Sequence, residues 1–206
     1  MTNDILALLG NLSQDRPIFH SEADFQHAIA WRIHEIIPDA QVRLEFKPFL
    51  EKRIYLDIWL QNDGTAIELK YPTRRLSLDS CGEAFALRDQ GAQDITRYDF
   101  LKDIQRLEEV TSSCEKAKAG FAILLTNDPS YWKASSRVDT VDAAFRLHEG
   151  RRITGELAWL ARAAPGTTKG RKNPIRLNGS YKLHWRDYSN LGEGNYRLFR
   201  YLLIEV

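Results

Sequence analysis

Between residues 20 and 38, apolar side chains fall at Phe25, Ala28, Ile29, Ile33 and Ile36, the three-and-four spacing of an amphipathic helix. Ser21 followed three residues later by Asp24 is a helix-start signal, and Pro38 is the stop. Residues 41–47 then alternate, with Val42, Leu44 and Phe46 on one side, and read as a strand. Residues 53–71 (RIYLDIWLQNDGTAIELKY) hold two β-rich apolar runs around Asn62-Asp63-Gly64, a hairpin turn signal. Residues 89–116 read as a long helix carrying Ala92, Ile95, Leu101, Ile104 and Leu107 on one side. Residues 120–126 (GFAILLT) read as a short buried strand. The order is αβββαβ.

The flanking segments are less regular. Residues 1–11 (MTNDILALLGN) suit an amphipathic helix better than a signal peptide, having no basic start and no cleavage site. Residues 127–137 read as a loop, 138–148 and 153–164 as short helices, and 164–180 as the main loop. Residues 181–187 and 196–206 read as two strands joined by a glycine-containing turn, extending the sheet.

The hairpin carries the chemistry. Side chains alternate along a strand, so Glu68 and Lys70 share a face. A two-residue loop at Asn62-Asp63 sets Asp57 opposite Glu68, and one at Asp63-Gly64 sets it opposite Lys70. In either register two carboxylates and an amine gather on one face, flanked by Tyr55, Trp59 and Ala66. Ile54, Leu56, Ile58, Leu60, Ile67, Leu69 and Tyr71 make the core face, so the charged face is expected to open onto a cleft or solvent. Two close carboxylates repel, which raises one pKa unless a cation sits between them. Oxygen donors suit a hard cation, Mg²⁺ with Mn²⁺ able to substitute. A lysine beside that ion can orient or help deprotonate a metal-bound water and can stabilise charge on a phosphate, the equipment for metal-assisted phosphodiester hydrolysis. A solvated strand face gives the same spacing without chemistry. The order of elements decides between them.

Composition narrows the setting. A chain of 206 residues, 43% hydrophobic and 28% charged, suits one globular domain. Its formal net charge of +1 leaves no global basic field, so any grip on nucleic acid has to come from local patches. Cys81 and Cys114, far apart and without a CxxC, read as free thiols of a reducing, cytoplasmic compartment. Five histidines without paired spacing argue against zinc. No run reaches transmembrane length, so no membrane partner is expected.

With Asp57 on the second core strand, Glu68-Leu69-Lys70 on the third and this element order, the chain resembles the PD-(D/E)XK nuclease superfamily, the fold of many restriction endonucleases and Holliday-junction resolvases. Leu56 stands where the family often has proline. The resemblance covers residues 20–126. It implies an α/β, restriction-endonuclease-like core with a mixed sheet flanked by helices, in a single domain of residues 1–206. Residues 127–206 would form a C-terminal α+β extension. It further implies a Mg²⁺-dependent endonuclease acting on DNA. Asp57, Glu68 and the Leu69 carbonyl would hold the metal, Lys70 would assist the water, and Glu22 on the first core helix would hold a second metal or a water. The alternative is a non-catalytic nucleic-acid-binding or structural protein on the same fold. Glu22 discriminates: its convergence on Asp57 and Glu68 favours the nuclease.

Around this centre, Gln90, Gln93 and Tyr98 are expected to support the site from the second core helix. Arg74 and Arg75, directly after the third strand, and the loop residues Lys169, Arg171, Lys172 and Arg176 are expected to contact the DNA backbone. Asp94 and Arg97 are expected to pair locally, and Asp99 and Asp103 to join an intrahelical network with Lys102 and Arg106. Sequence-specific cleavage would draw on the C-terminal third or on a homodimer.

Overall fold

A computed structural model describes residues 2–206. Its centre is the segment Ala119–Thr126, β6, in which all eight residues are buried. A strand apolar on both faces needs a layer on each side, and the chain supplies both. On one side lie α1 (Thr2–Asp15) and α2 (Glu22–Ile36), whose Leu9, Leu12, Phe25, Ile29 and Ile33 pack on Ile58, Ile67, Leu69 and Phe121. On the other lies α3 (Gln93–Ser113), whose Leu101, Ile104 and Leu107 pack on Trp59, Ala66, Ala122 and Leu124. The Ser21 side chain accepts from the Asp24 N–H at 3.1 Å, so the start signal read from sequence fixes the first turn of α2.

The main sheet has six strands in the order β1-β2-β3-β6-β10-β9. These are β1 (Val42–Phe46), β2 (Leu56–Leu60), β3 (Thr65–Lys70), β6, β9 (Trp185–Asn190) and β10 (Leu198–Glu205). Only β3 and β6 pair in parallel, bridged by α3 as the crossover, so the sheet is mixed. Among the described residues no helix is long and apolar enough to cross a membrane, and Cys81 and Cys114 are free.

Several expectations change. The charged hairpin face does not open directly onto solvent: α3 covers it, burying Trp59, Ala66 and Glu68. The connection between β2 and β3 is four residues, 61–64, rather than two, yet Ile58 pairs with Ile67 and Leu60 with Thr65, the register that sets Asp57 opposite Glu68. Gly64 closes it at φ +67°, where a Cβ would stand 2.0 Å from the Lys116 carbonyl. Residues 71–92 contain an unforeseen hairpin, β4 (Leu76–Ser80) with β5 (Glu83–Leu87), turning at Cys81-Gly82. The expected helix over 153–164 is instead a strand, β7 (Arg152–Leu157), paired with β8 (Ile175–Lys182). Cross-strand burial of Ile153, Leu157, Ile175 and Leu177 against α3 outweighs local helical spacing there. The expected loop 164–180 therefore ends in β8 after a single helical turn, α4 (Pro165–Thr168). Of the helix expected over 138–148, only a 3-10 turn at Ala143–Phe145 forms. Of the two expected C-terminal strands, 196–206 forms β10 and extends the sheet, whereas 181–187 is divided: Tyr181 and Lys182 end β8, and β9 starts at Trp185, antiparallel to β10.

Candidate active site

Three elements deliver acids to one place. From the hairpin, the Asp57 carboxylate accepts from the Leu69 N–H at 2.6 Å and is hydrogen-bonded to the Glu68 side chain. From α2, Glu22 Oε2 accepts from the Tyr71 N–H at 2.7 Å, just past the end of β3. One turn along α2, Gln26 Nε2 donates to the Asp57 carbonyl at 2.7 Å and clamps this helix to β2. From α3 come Asp103 and Arg106, separated by three residues and so on one helical face. Lys70 Nζ lies 2.9 Å from Asp103 Oδ2 and donates to the Leu69 carbonyl at 3.0 Å. Arg106 Nη2 lies 3.0 Å from Glu68 Oε1 and 2.5 Å from Asp103 Oδ1.

The cluster is buried and acid-rich. Glu68 is 2% and Asp103 3% exposed. Four carboxylates (Glu22, Asp57, Glu68, Asp103) meet two cations (Lys70, Arg106), so full ionisation leaves two negative charges uncompensated. Burial pushes all four acids above the ordinary carboxylate range. Glu68 stands well above it, with Asp103 adding to the effect of burial and Arg106 opposing it. Burial works against the ammonium of Lys70, but Asp103 and Glu22 outweigh it and raise its pKa. Lys70 is therefore a permanent cation in this resting state.

This donor set fits a hard divalent ion in type and in charge: the donors are oxygens, and the missing charge is two. Each of Glu22, Asp57 and Glu68 is held here through an internal donor, and the Leu69 carbonyl is covered by Lys70. Among the described residues no group of three or more His, Cys, Asp or Glu side chains is placed to hold a metal ion as the side chains stand. An ion held by Glu68 would compete with Arg106, which lies 3.0 Å from Glu68 Oε1.

The other expected residues scatter. Gln90 stays close, lining a cavity with Ser21, Tyr71 and Thr73. Gln93 donates instead to Asp128 at 3.0 Å. Tyr98 is a core residue, stacked on Trp159 with its hydroxyl donating to the Asn173 carbonyl at 2.8 Å. Arg97 does not pair locally: it is buried and reaches Asp142 at 3.0 Å, 45 residues away, while Asp94 caps its neighbour Ile95. Arg74 pairs with Asp89 at 2.8 Å and lies over the Tyr196 ring. Arg171 makes a two-pronged bond to Asp99, both contacts 2.7 Å, and Arg176 pairs with Glu156 at 2.8 Å. Asp99 is thus no part of an intrahelical network. Arg75, Lys169 and Lys172 are exposed.

Asp103 makes the intrahelical pair with Arg106 that the sequence predicts, but its place beside Lys70 in the acid cluster was missed. Its signal was present: Phe100, Leu107 and Val110, at i−3, i+4 and i+7, are all core, so Asp103 is a charge set within an apolar stripe. No protein-family model, no curated protein and no solved structure matches this chain.

Proposed function

We propose that this protein is a divalent-metal-dependent phosphodiester hydrolase acting on DNA, on the plan of the PD-(D/E)XK nucleases. The observation that carries this reading is the approach of Glu22, from a different element, to Lys70 and Asp57, in a buried cluster that also holds Glu68 and Asp103 and is short of two positive charges. An ion-pair patch on a strand surface would not be buried, and would not gather an excess of acid that burial makes costly. The αβββαβ order and the mixed sheet agree with the same plan.

Asp57, Glu68 and the Leu69 carbonyl would hold Mg²⁺, with Glu22 beside them for a second ion or a water. Bound there, the ion supplies a Lewis acid and a more acidic water. The protein's own part is positional. Asp103 fixes Lys70 as a charged ammonium at the edge of the cluster, where it stabilises negative charge growing on a phosphate oxygen. Without the ion, Asp103 and Glu22 hold Lys70 as an ammonium, the form that serves as an electrostatic group.

The test is cleavage of supercoiled plasmid, linear duplex, single-stranded and branched DNA with Mg²⁺, Mn²⁺ and EDTA. Cleavage should require the metal and fall at least about 100-fold in Lys70→Ala, with DNA affinity and fold retained. Metal-independent cleavage, or a fully active Lys70→Ala, would sink the assignment.

A further inference from the structure

A cavity of about 410 Å³ is lined by His20, Ser21, Tyr71, Thr73, Arg88 and Gln90. It adjoins the acidic cluster through two chain neighbours, since Ser21 precedes Glu22 and Tyr71 follows Lys70. Its walls are tied together. The Gln90 N–H donates to the Thr73 carbonyl, the Thr73 hydroxyl donates to the Arg88 carbonyl, and His20 is bonded to Glu83 at 2.8 Å while stacked on Phe85.

The hairpin register adds an anomaly. Leu76 pairs with Leu87, and the Gln90–Thr73 bond continues the same alignment. Arg74 therefore faces Asp89, which the 2.8 Å ion pair bears out. The next position sets Arg75 against Arg88. Both are exposed, and among the described residues neither has an acidic partner. Like charges directly opposite one another destabilise a strand pair, so this juxtaposition is unfavourable until an anion bridges it. Residues opposite each other share a face. The face holding Ala86, Arg88 and Gln90 is the one that lines the cavity, so Arg75 belongs to that side as well.

We propose that this cavity binds a phosphodiester group of a nucleic-acid strand next to the one being cleaved, held between Arg75 and Arg88. The inference rests on the nuclease reading and adds a substrate contact to it. Guanidinium forks match phosphate oxygens in shape and charge. Arg74 has no part in it, because Asp89, Asp128 and the Tyr196 ring already engage its charge. The cavity is large enough for a nucleotide unit, and Gln90 on its wall offers an amide to a base edge.

The test is binding of a labelled duplex and a labelled single strand by fluorescence anisotropy in EDTA, where metal-dependent chemistry is silent. Arg75→Gln/Arg88→Gln should reduce the slope of log K against log salt by about two units, and Arg74→Gln should leave it unchanged. Arg75→Lys/Arg88→Lys should restore most of the slope by restoring the charge. The glutamine pair should melt at or above the wild-type temperature, since it removes a repulsion. An unchanged slope overturns the proposal, as does a wild type that binds no strand; plasmid cleavage then judges the nuclease reading separately. Inorganic phosphate raising the wild-type melting temperature as much as an oligonucleotide does would mark a free-anion site and overturn the strand assignment.

Discussion

Glu68→Gln in metal-free protein separates a functional acid cluster from a structural salt bridge. Arg106 Nη2 lies 3.0 Å from Glu68 Oε1 and 2.5 Å from Asp103 Oδ1, so the two oxygens are at most about 5.5 Å apart. At an effective dielectric constant of about 20, the attraction to Arg106 is worth about 5 kcal/mol and the repulsion from Asp103 about 3 kcal/mol. Desolvation of a buried carboxylate opposes ionisation by several kcal/mol more, and Asp57 adds further repulsion. The ionised form therefore gains nothing net from its surroundings, which is why the Glu68 pKa stands well above the ordinary range. Glutamine copies the protonated form. The variant should lose less than about 1 kcal/mol, a shift of no more than about 4 °C for a chain of this size. Thermal melts in EDTA and then with Mn²⁺ provide the assay. The wild type should be stabilised by Mn²⁺ and the variant should not. Removing one partner of a buried ion pair that truly holds a structure together costs about 3–5 kcal/mol, or about 6–20 °C here. A fall of that size would show Glu68 to be an ionised brace for Arg106, and the reasoning would fail.

Glu22, Asp57, Glu68 and Asp103 all have folded-state pKa values above the ordinary carboxylate range, so the folded protein holds more protons there than the unfolded chain. Metal-free stability should be fully present below that range and fall as pH rises through it toward the folded values; denaturant melts in EDTA from about pH 4 to 8 would show it, and stability rising over that window would contradict it. Mn²⁺ affinity should rise over the same window with proton release, read by calorimetry in two buffers of different ionisation enthalpy. In the C-terminal region, Lys169→Gln/Lys172→Gln should lower the salt dependence of DNA binding by about two units, whereas Arg176→Gln, already paired with Glu156, should leave it nearly unchanged. Equal effects from the two sets would show that the ion pair seen here opens in solution. Arg171→Gln should act mainly on stability, measured by melting temperature, because it strands Asp99.

What the sequence determined by itself is local. The Ser21 cap, the alternation of 41–47, the hairpin signal at Asn62-Asp63-Gly64 and the apolar run of β6 each carry their own geometry, through capping bonds, pleat parity and turn chemistry. Parity alone placed Glu68 with Lys70, and the pairing with Asp57 narrowed to two registers. Choosing between them depended on a four-residue connection closed by Gly64 against Lys116, in the turn between α3 and β6. The lid over the charged face was likewise a tertiary decision: β6 is apolar on both sides, so α3 had to cover the face that the hairpin alone would leave open. Asp103 and Arg106 entered the site with that helix. In the C-terminal third, Arg152–Leu157 has helical spacing but becomes a strand because β8 and α3 bury its apolar side chains. Arg171 and Arg176 looked like a free basic arm until their partners, Asp99 and Glu156, arrived from 72 and 20 residues away. Such pairs join segments distant in the chain, so no periodicity in the sequence encodes them; only the packed structure brings them within reach.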